Sequence, residues 1–149
     1  RSLEGRADRP CLSDMGAYEF LRAGADTDGD GMIDGWEYTN GLDLVVQDQY
    51  ADPDGDTMVN LDEYVAGTDP WNGNSKLETQ DLKLDGEGFV LSFESVLGRL
   101  YDVLCRSDLP GTNDWEVLTN NWPGTGGILE YRDMTTAPRR FYRVRAHYP

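Results

Sequence analysis

The sequence predicts a mainly β protein in two parts, a pair of acidic loops with short helical turns followed by a small antiparallel β-sandwich. Three observations predict it. A stretch beginning at Ala25 is repeated, with an offset of 26 residues, from Ala51. That stretch concentrates the acids of the chain. From Lys76 onward, short apolar alternations of period two are separated by glycine-rich or polar turns, the pattern of half-buried strands.

Residues 1–24 open on charged and turn-forming residues and lead into Met15-Gly16-Ala17-Tyr18-Glu19-Phe20-Leu21. This stretch reads as one strand, with Met15, Ala17, Glu19 and Leu21 on one face and Tyr18 and Phe20 on the other. A single strand is not stable alone. It is expected to pack on the chain's own sheet, to complete the sheet of a neighbouring chain by strand addition, or to belong to an upstream domain. No signal-peptide pattern is visible at Arg1, so a processed or cropped start is expected.

Residues 25–75 carry the repeat. Asp26/Asp52, Asp28/Asp54, Gly29/Gly55, Asp30/Asp56, Met32/Met58, Glu37/Glu63, Tyr38/Tyr64, Gly41/Gly67 and Asp43/Asp69 are identical at the common offset. The spacing is that of an EF-hand-like loop, in which a hard cation such as Ca²⁺ takes oxygen ligands from the first, third, fifth, seventh, ninth and twelfth positions. In the first loop these are Asp26, Asp28, Asp30, the Met32 carbonyl, Asp34 directly or through water, and bidentate Glu37. In the second they are Asp52, Asp54, Asp56, the Met58 carbonyl, Asn60 and Glu63. One Ca²⁺ is expected in each loop, with Asp43 and Asp69 as possible added ligands. Gly31 occupies the sixth position, where the chain must turn sharply, whereas Thr57 stands there in the second loop and predicts a strained or weaker site. Ile33 and Val59, at the eighth position, are expected to pair backbone to backbone. Trp36–Asn40 and Leu61–Ala66, closed by Gly41 and Gly67, read as helical turns with glycine C-caps. About fourteen residues between the loops leave no room for the long entering helices that a calcium sensor opens and closes.

Residues 76–149 read as six or seven short strands. Phe89, Leu91 and Phe93 share one face, as do Tyr101, Val103 and Cys105, and then Tyr142, Val144 and Ala146. Leu82-Leu84, Trp115–Leu118 and Leu129–Tyr131 supply the others, and Asp85-Gly86-Glu87-Gly88 reads as a hairpin turn. This number of strands in so short a stretch predicts an immunoglobulin-like antiparallel β-sandwich.

Charge then bounds the function. The formal net charge is −15, yet the thirteen carboxylates between Asp26 and Asp69 face no Lys or Arg in that segment, and the remainder is nearly neutral. Such a segment repels itself unless it binds cations. It also repels a phosphate backbone, and Arg139-Arg140 is too small a basic patch to compensate, so nucleic acid is not an expected partner. No apolar run is long enough to span a membrane. Cys11 and Cys105 lack metal-ligand spacing, and an intrachain disulfide, an interchain disulfide and two free thiols all stay open.

Asp52-Pro-Asp-Gly-Asp with Asn60, Glu63-Tyr64 and Gly67-Thr68-Asp69-Pro70 resembles the thrombospondin type 3-like repeats of secreted bacterial proteins, and Asp26 to Asp43 is similar. The resemblance covers residues 26–72. It implies that these acids bind calcium and that the segment is a rigid extracellular connector. Tyr101-Asp102-Val103 and Arg140-Phe141-Tyr142-Arg143-Val144 look like the small β-sandwich that often follows such repeats, and Asp14–Glu19 is similar to the closing strand of larger surface β-domains. Dockerins also carry two calcium loops, but they usually end the loop with Asp, where Glu37 and Glu63 stand here.

The expected function is that of an extracellular or cell-surface structural protein stabilised by two calcium ions. Its expected partner is another copy of itself, joined head to tail into a filament by strand addition, or another surface protein. The alternative is a carbohydrate-binding or dockerin-like accessory module of a secreted enzyme, with Trp115, Trp122, Tyr101, Tyr131 and Tyr148 as a stacking platform for a glycan. An enzyme is not expected. The single histidine, His147, has no triad partners near it in sequence, and Glu94, Asp102, Glu116 and Glu130 read as solvated acids on strand faces.

Overall fold

The computed structural model describes residues 24–108, 115–135, 137 and 139–149. The strand expected at Met15–Leu21 and the partnership of Cys11 with Cys105 lie outside the described residues. Two compact units divide the chain. The first ends at Tyr64 and takes in Asp69–Asn74, and the second joins Val65–Thr68 to Ser75–Pro149.

The repeat places two helices of seven residues each, α1 (Asp34–Asn40) and α2 (Asn60–Ala66), each directly after an acidic loop. Helices this short do not persist on local bonding alone, so loop and packing contacts hold them. The amide of Asp34 donates to the Ala25 carbonyl at 2.8 Å and that of Asn60 to the Ala51 carbonyl at 2.9 Å, so each loop is closed by the same backbone bond. Gly41 ends α1 with φ 72°, a conformation open to glycine without cost, and the Leu42 amide returns to the Glu37 carbonyl at 2.9 Å. Met32, fully buried, and Leu44 are the buried aliphatic side chains around the first loop, and Trp36 meets Tyr64 edge to face with ring centroids 5.3 Å apart. Gln47 Nε2 donates to the Asp28 carbonyl at 2.7 Å, and Trp71 Nε1 to the Asn40 carbonyl at 2.8 Å.

The second unit is mainly β. Its strands are β1 (Thr79–Leu84), β2 (Phe89–Glu94), β3 (Leu100–Arg106), β4 (Glu116–Pro123), β5 (Ile128–Asp133) and β6 (Phe141–His147). They form two three-stranded antiparallel sheets, ordered β1-β2-β5 and β4-β3-β6. All six match the alternations read from the sequence, and the Asp85–Gly88 turn closes with the Asp85 amide on the Gly88 carbonyl at 3.2 Å. The central strands β2 and β3 are the most buried. Leu91 and Phe93 from one sheet, Tyr101 and Val103 from the other, and Leu129 of β5 form one core. Phe93 packs against Tyr101 at 5.2 Å and meets Trp122 edge-on at 6.3 Å, and Trp122 meets Tyr131 at 6.4 Å. Tyr101 Oη accepts from the Val96 amide at 2.8 Å, which satisfies both groups inside the core. Cys105 is also buried, with Arg140 Nη1 donating to its sulfur at 2.8 Å.

Strand β1 stands apart, because all six of its residues are exposed. Leu82 pairs with Leu91 and Leu84 with Phe89, so both leucines lie on the face that carries the core, yet they are 47% and 68% exposed. No helix among the described residues is long and apolar enough to cross a membrane.

Candidate metal centres

Each acidic loop is shaped by its own carboxylates. Asp26 Oδ1 accepts from the amides of Gly29 and Asp30 at 2.8 and 3.2 Å, and Oδ2 accepts from Gly31 at 3.1 Å. Asp28 Oδ1 takes the Asp30 amide at 3.1 Å, and Asp30 Oδ1 takes the Met32 amide at 2.9 Å. The second loop repeats this atom by atom. Asp52 accepts from Gly55, Asp56 and Thr57, Asp54 from Asp56, and Asp56 from Met58, at 2.8 to 3.2 Å. These are side-chain turns of the kind that Asp favours. Gly29 and Gly55 take φ of 75° and 76°, Gly31 takes 97°, and Thr57 adopts 83°, a left-handed conformation that a β-branched residue enters only under strain.

One oxygen of each middle acid thereby serves the backbone, while the other is left over. Asp28 Oδ2, Asp30 Oδ2, Asp54 Oδ2 and Asp56 Oδ2 are buried and accept no hydrogen bond. The same holds for both carboxylate oxygens of Glu37, whose side chain is fully buried at the start of α1. Burying a charged group without a partner is strongly unfavourable. Burial, and then repulsion from Asp30, Asp28, Asp34 and Asp48, push the Glu37 carboxyl up to about 8. Burial likewise raises Asp28 and Asp48 above their ordinary values.

Among the described residues, three sets of carboxylates converge to within 4.8 Å: Asp26, Asp28 and Asp30; Asp30, Glu37 and Asp48; and Asp52, Asp54 and Asp56. In the first predicted set the structure thus brings Asp26 and Asp28 to Asp30 and, in a separate triad, Glu37 to Asp30, and in the second it brings Asp52, Asp54 and Asp56 together. Glu63, like Glu37, is fully buried. Asp34 is placed differently. Its two oxygens accept from the Thr27 amide at 2.7 Å and the Thr27 hydroxyl at 2.8 Å, and it is not among the converging groups. At the matching position Asn60 is fully buried, and its Nδ2 donates to Asp48.

Asp48 is the residue that sequence reasoning missed. It lies beyond the twelve-residue frame and carries no loop signature, and only the folded chain brings it within reach of Asp30 and Glu37. Asp43 and Asp69, the candidates for extra ligands, each accept an amide on Oδ1, from Val45 at 3.2 Å and Trp71 at 3.1 Å. Ile33 and Val59 form no bridge with one another. Their carbonyls accept the Glu37 and Glu63 amides at 3.1 and 3.0 Å and start the helices, so the expected backbone pairing gives way to helix initiation.

Elsewhere, Asp102 sits beside a cavity of about 480 Å³ with Val117, Asn120, Asn121, Arg145 and His147. Burial raises its carboxyl, but bonds from Arg145, the Asn121 amide and His147 outweigh burial and hold it below the usual range. This carboxylate ties β3, β4 and β6 together. Of the aromatics considered for glycan stacking, Tyr101 is 1% exposed, and Trp122 and Tyr131 pack on the core. Trp115 and Tyr148 carry the guanidinium groups of Arg106 and Arg99 over their rings.

Comparisons with protein-family models, with curated proteins and with solved structures find no match for this chain.

Proposed function

We propose that the chain is an extracellular structural protein in which each acidic loop holds one Ca²⁺, and in which an immunoglobulin-like sandwich receives a strand from a neighbouring copy. The observation that carries the metal reading is the set of buried carboxylate oxygens without hydrogen-bond donors: Asp28 Oδ2, Asp30 Oδ2 and both oxygens of Glu37 in the first loop, and Asp54 Oδ2 and Asp56 Oδ2 in the second. A bound cation would satisfy such atoms in their charged form, and no Lys or Arg lies nearby in sequence to do so. An all-oxygen donor set of carboxylates and backbone carbonyl suits Ca²⁺, which tolerates flexible coordination of high number, better than Mg²⁺ or a transition metal. The first ion would be held by Asp26, Asp28, Asp30, the Met32 carbonyl, Glu37 and, directly or through water, Asp34, and the second by Asp52, Asp54, Asp56, the Met58 carbonyl, Asn60 and Glu63.

The ion supplies charge neutralisation and rigidity. At free calcium a hundredfold above the dissociation constant, each site stabilises the folded loop by about 2.7 kcal/mol, a large share of a small unit's total of about 5 kcal/mol. Calcium therefore braces the segment and does not switch it. Support for assembly comes from β1, an edge strand among the described residues with exposed Leu82 and Leu84 on its core-side face, since an edge strand is a template for another strand. The alternating segment Met15–Leu21 is the strand offered. A copy that gives its strand to the next makes a head-to-tail contact, which propagates.

Metal analysis after dialysis, thermal unfolding with and without chelator, and negative-stain imaging test both parts. Two calcium ions per chain and a chelator-sensitive first transition are expected, with polymers that disappear on deletion of residues 1–23 or in Leu82→Lys/Leu84→Lys. A native preparation without bound metal whose loops stay ordered overturns the calcium reading, and a strictly monomeric full chain overturns the filament.

A further inference from the structure

Asp48 belongs to neither loop, yet it touches both. Its carboxylate lies within 4.8 Å of those of Asp30 and Glu37. The buried, donor-free oxygens of Glu37 converge on the same point, which marks the place as one for a cation and not merely as an acidic patch. From the other side, Asn60 Nδ2 donates to the Asp48 carbonyl at 3.0 Å and to Asp48 Oδ1 at 3.1 Å. Asn60 occupies the ninth position of the second loop, is fully buried, and keeps its own Oδ1 without a partner.

The difference between the loops explains why this link exists. In the first, the ninth residue, Asp34, is held by the amide and hydroxyl of Thr27. The counterpart of Thr27 in the second is Pro53, which has neither an N–H nor a hydroxyl to donate. The ninth residue there is released from its own loop, and an amide side chain in place of a carboxylate gives it hydrogens to offer to Asp48. One end of Asn60 thus grips a candidate ligand of the first site, and the other end is left for the second.

We propose that Asp48 is a ligand of the first ion, positioned by Asn60 of the second loop, and that the two sites consequently bind calcium with positive cooperativity. This rests on the calcium reading above. An ion that orders Asn60 holds Asp48 ready for the first site, and by linkage an ion at the first site favours the second to the same degree.

The test is calorimetric titration of calcium into the full chain after chelator treatment. Glu63→Gln disables the second loop and leaves the first site to be read alone. In that background Asn60→Ala and Asn60→Asp are each expected to weaken the first site about tenfold, the effect of losing one hydrogen bond to a charged group. The aspartate variant is the sharper of the two. Added negative charge by itself would tighten cation binding, so a weaker first site in Asn60→Asp reports the lost amide donor. Asp48→Asn, which keeps the shape of the side chain, is expected to weaken the same site at least as much and serves if the Asn60 variants do not fold. First-site affinity within twofold of the Glu63→Gln parent in all three, or tightened in Asn60→Asp, overturns the proposal. Two-ion binding by the wild type without cooperativity overturns it as well. A wild type that takes up no calcium overturns the reading of both loops instead, so the two failures are distinct.

Discussion

Replacing Glu37 with glutamine is expected to move stability in opposite directions with and without calcium. In the metal-free protein, burial and the neighbouring acids raise the Glu37 carboxyl from 4.5 to about 8. The unfolded chain releases this proton near pH 4.5, whereas the folded chain keeps it to about pH 8. The stability contributed by the neutral carboxyl is therefore complete below the lower value and is lost progressively as the pH rises to the higher one. At about 1.4 kcal/mol per pH unit, the interval of about 3.5 units is worth roughly 5 kcal/mol in full and about 4 kcal/mol at pH ~7.5. Glutamine removes that charge but leaves a buried amide poorly satisfied, a cost of about 1–3 kcal/mol. The metal-free variant is thus expected to be about 1–3 kcal/mol more stable than the wild type at pH ~7.5, with the difference vanishing or reversing near pH ~5. On the proposed calcium reading the order inverts in excess calcium, because the variant lacks the bidentate ligand. A hundredfold loss of affinity at the first site removes about 2.7 kcal/mol. Urea unfolding followed by tryptophan fluorescence, to which Trp36 against Tyr64 contributes a reporter for the first unit, measures all four conditions. A metal-free variant less stable than the wild type at pH ~7.5, or a metal-free wild type that gains stability from pH ~5 to ~8, refutes the reasoning.

Three other perturbations follow from the same geometry. Thr57→Gly relieves a left-handed β-branched residue at φ 83°, and after the entropy that glycine costs it is expected to stabilise the second loop by about 1 kcal/mol and tighten its calcium affinity, read by urea unfolding and titration; no gain in either measurement counts against strain at that position. Tyr101→Phe strands the Val96 amide, which now donates to the hydroxyl at 2.8 Å, and is expected to cost about 1–2 kcal/mol in the second unit equally with calcium or chelator present. Asp102, held below its ordinary 3.8 by Arg145, the Asn121 amide and His147 against the cost of burial, contributes stability that is present above that pH and lost as the pH falls beneath it. Asp102→Asn is expected to cost about 1–3 kcal/mol at neutral pH and to flatten the acid limb of the unfolding curve, and a limb unchanged by the substitution refutes this role.

Much of the molecule was legible from residue order. Each of the six strands overlaps an apolar alternation, although β4 runs past Leu118 to Pro123, and both helices follow the loops that the repeat announced. Within the loops, the convergence of Asp26, Asp28 and Asp30, and of Asp52, Asp54 and Asp56, was read from spacing alone. The departures have a common cause. Asp102 read as a solvated acid on a strand face, but it is buried and bonded by Arg145 and the Asn121 amide. His147 had no neighbour in sequence, yet the pairing of β3 with β6 sets it 3.2 Å from Asp102. In each case a partner distant along the chain, or the alternate face of a strand, decided the outcome.

The sequence by itself determined everything that depends on contacts within a few residues: the turns that Asp side chains impose on the backbone, the glycines that admit left-handed conformations, and the period of each strand. Bonds that reach two to five residues ahead are formed or refused by local residue identity. Only the tertiary structure decided that Asp48 meets Asp30 and Glu37, that Asn60 reaches out of its own loop to hold it, and that β1 lies at the edge with Leu82 and Leu84 uncovered. Those outcomes depend on where the chain closes on itself and on which carboxylates share a buried space, and no spacing rule along the chain encodes either.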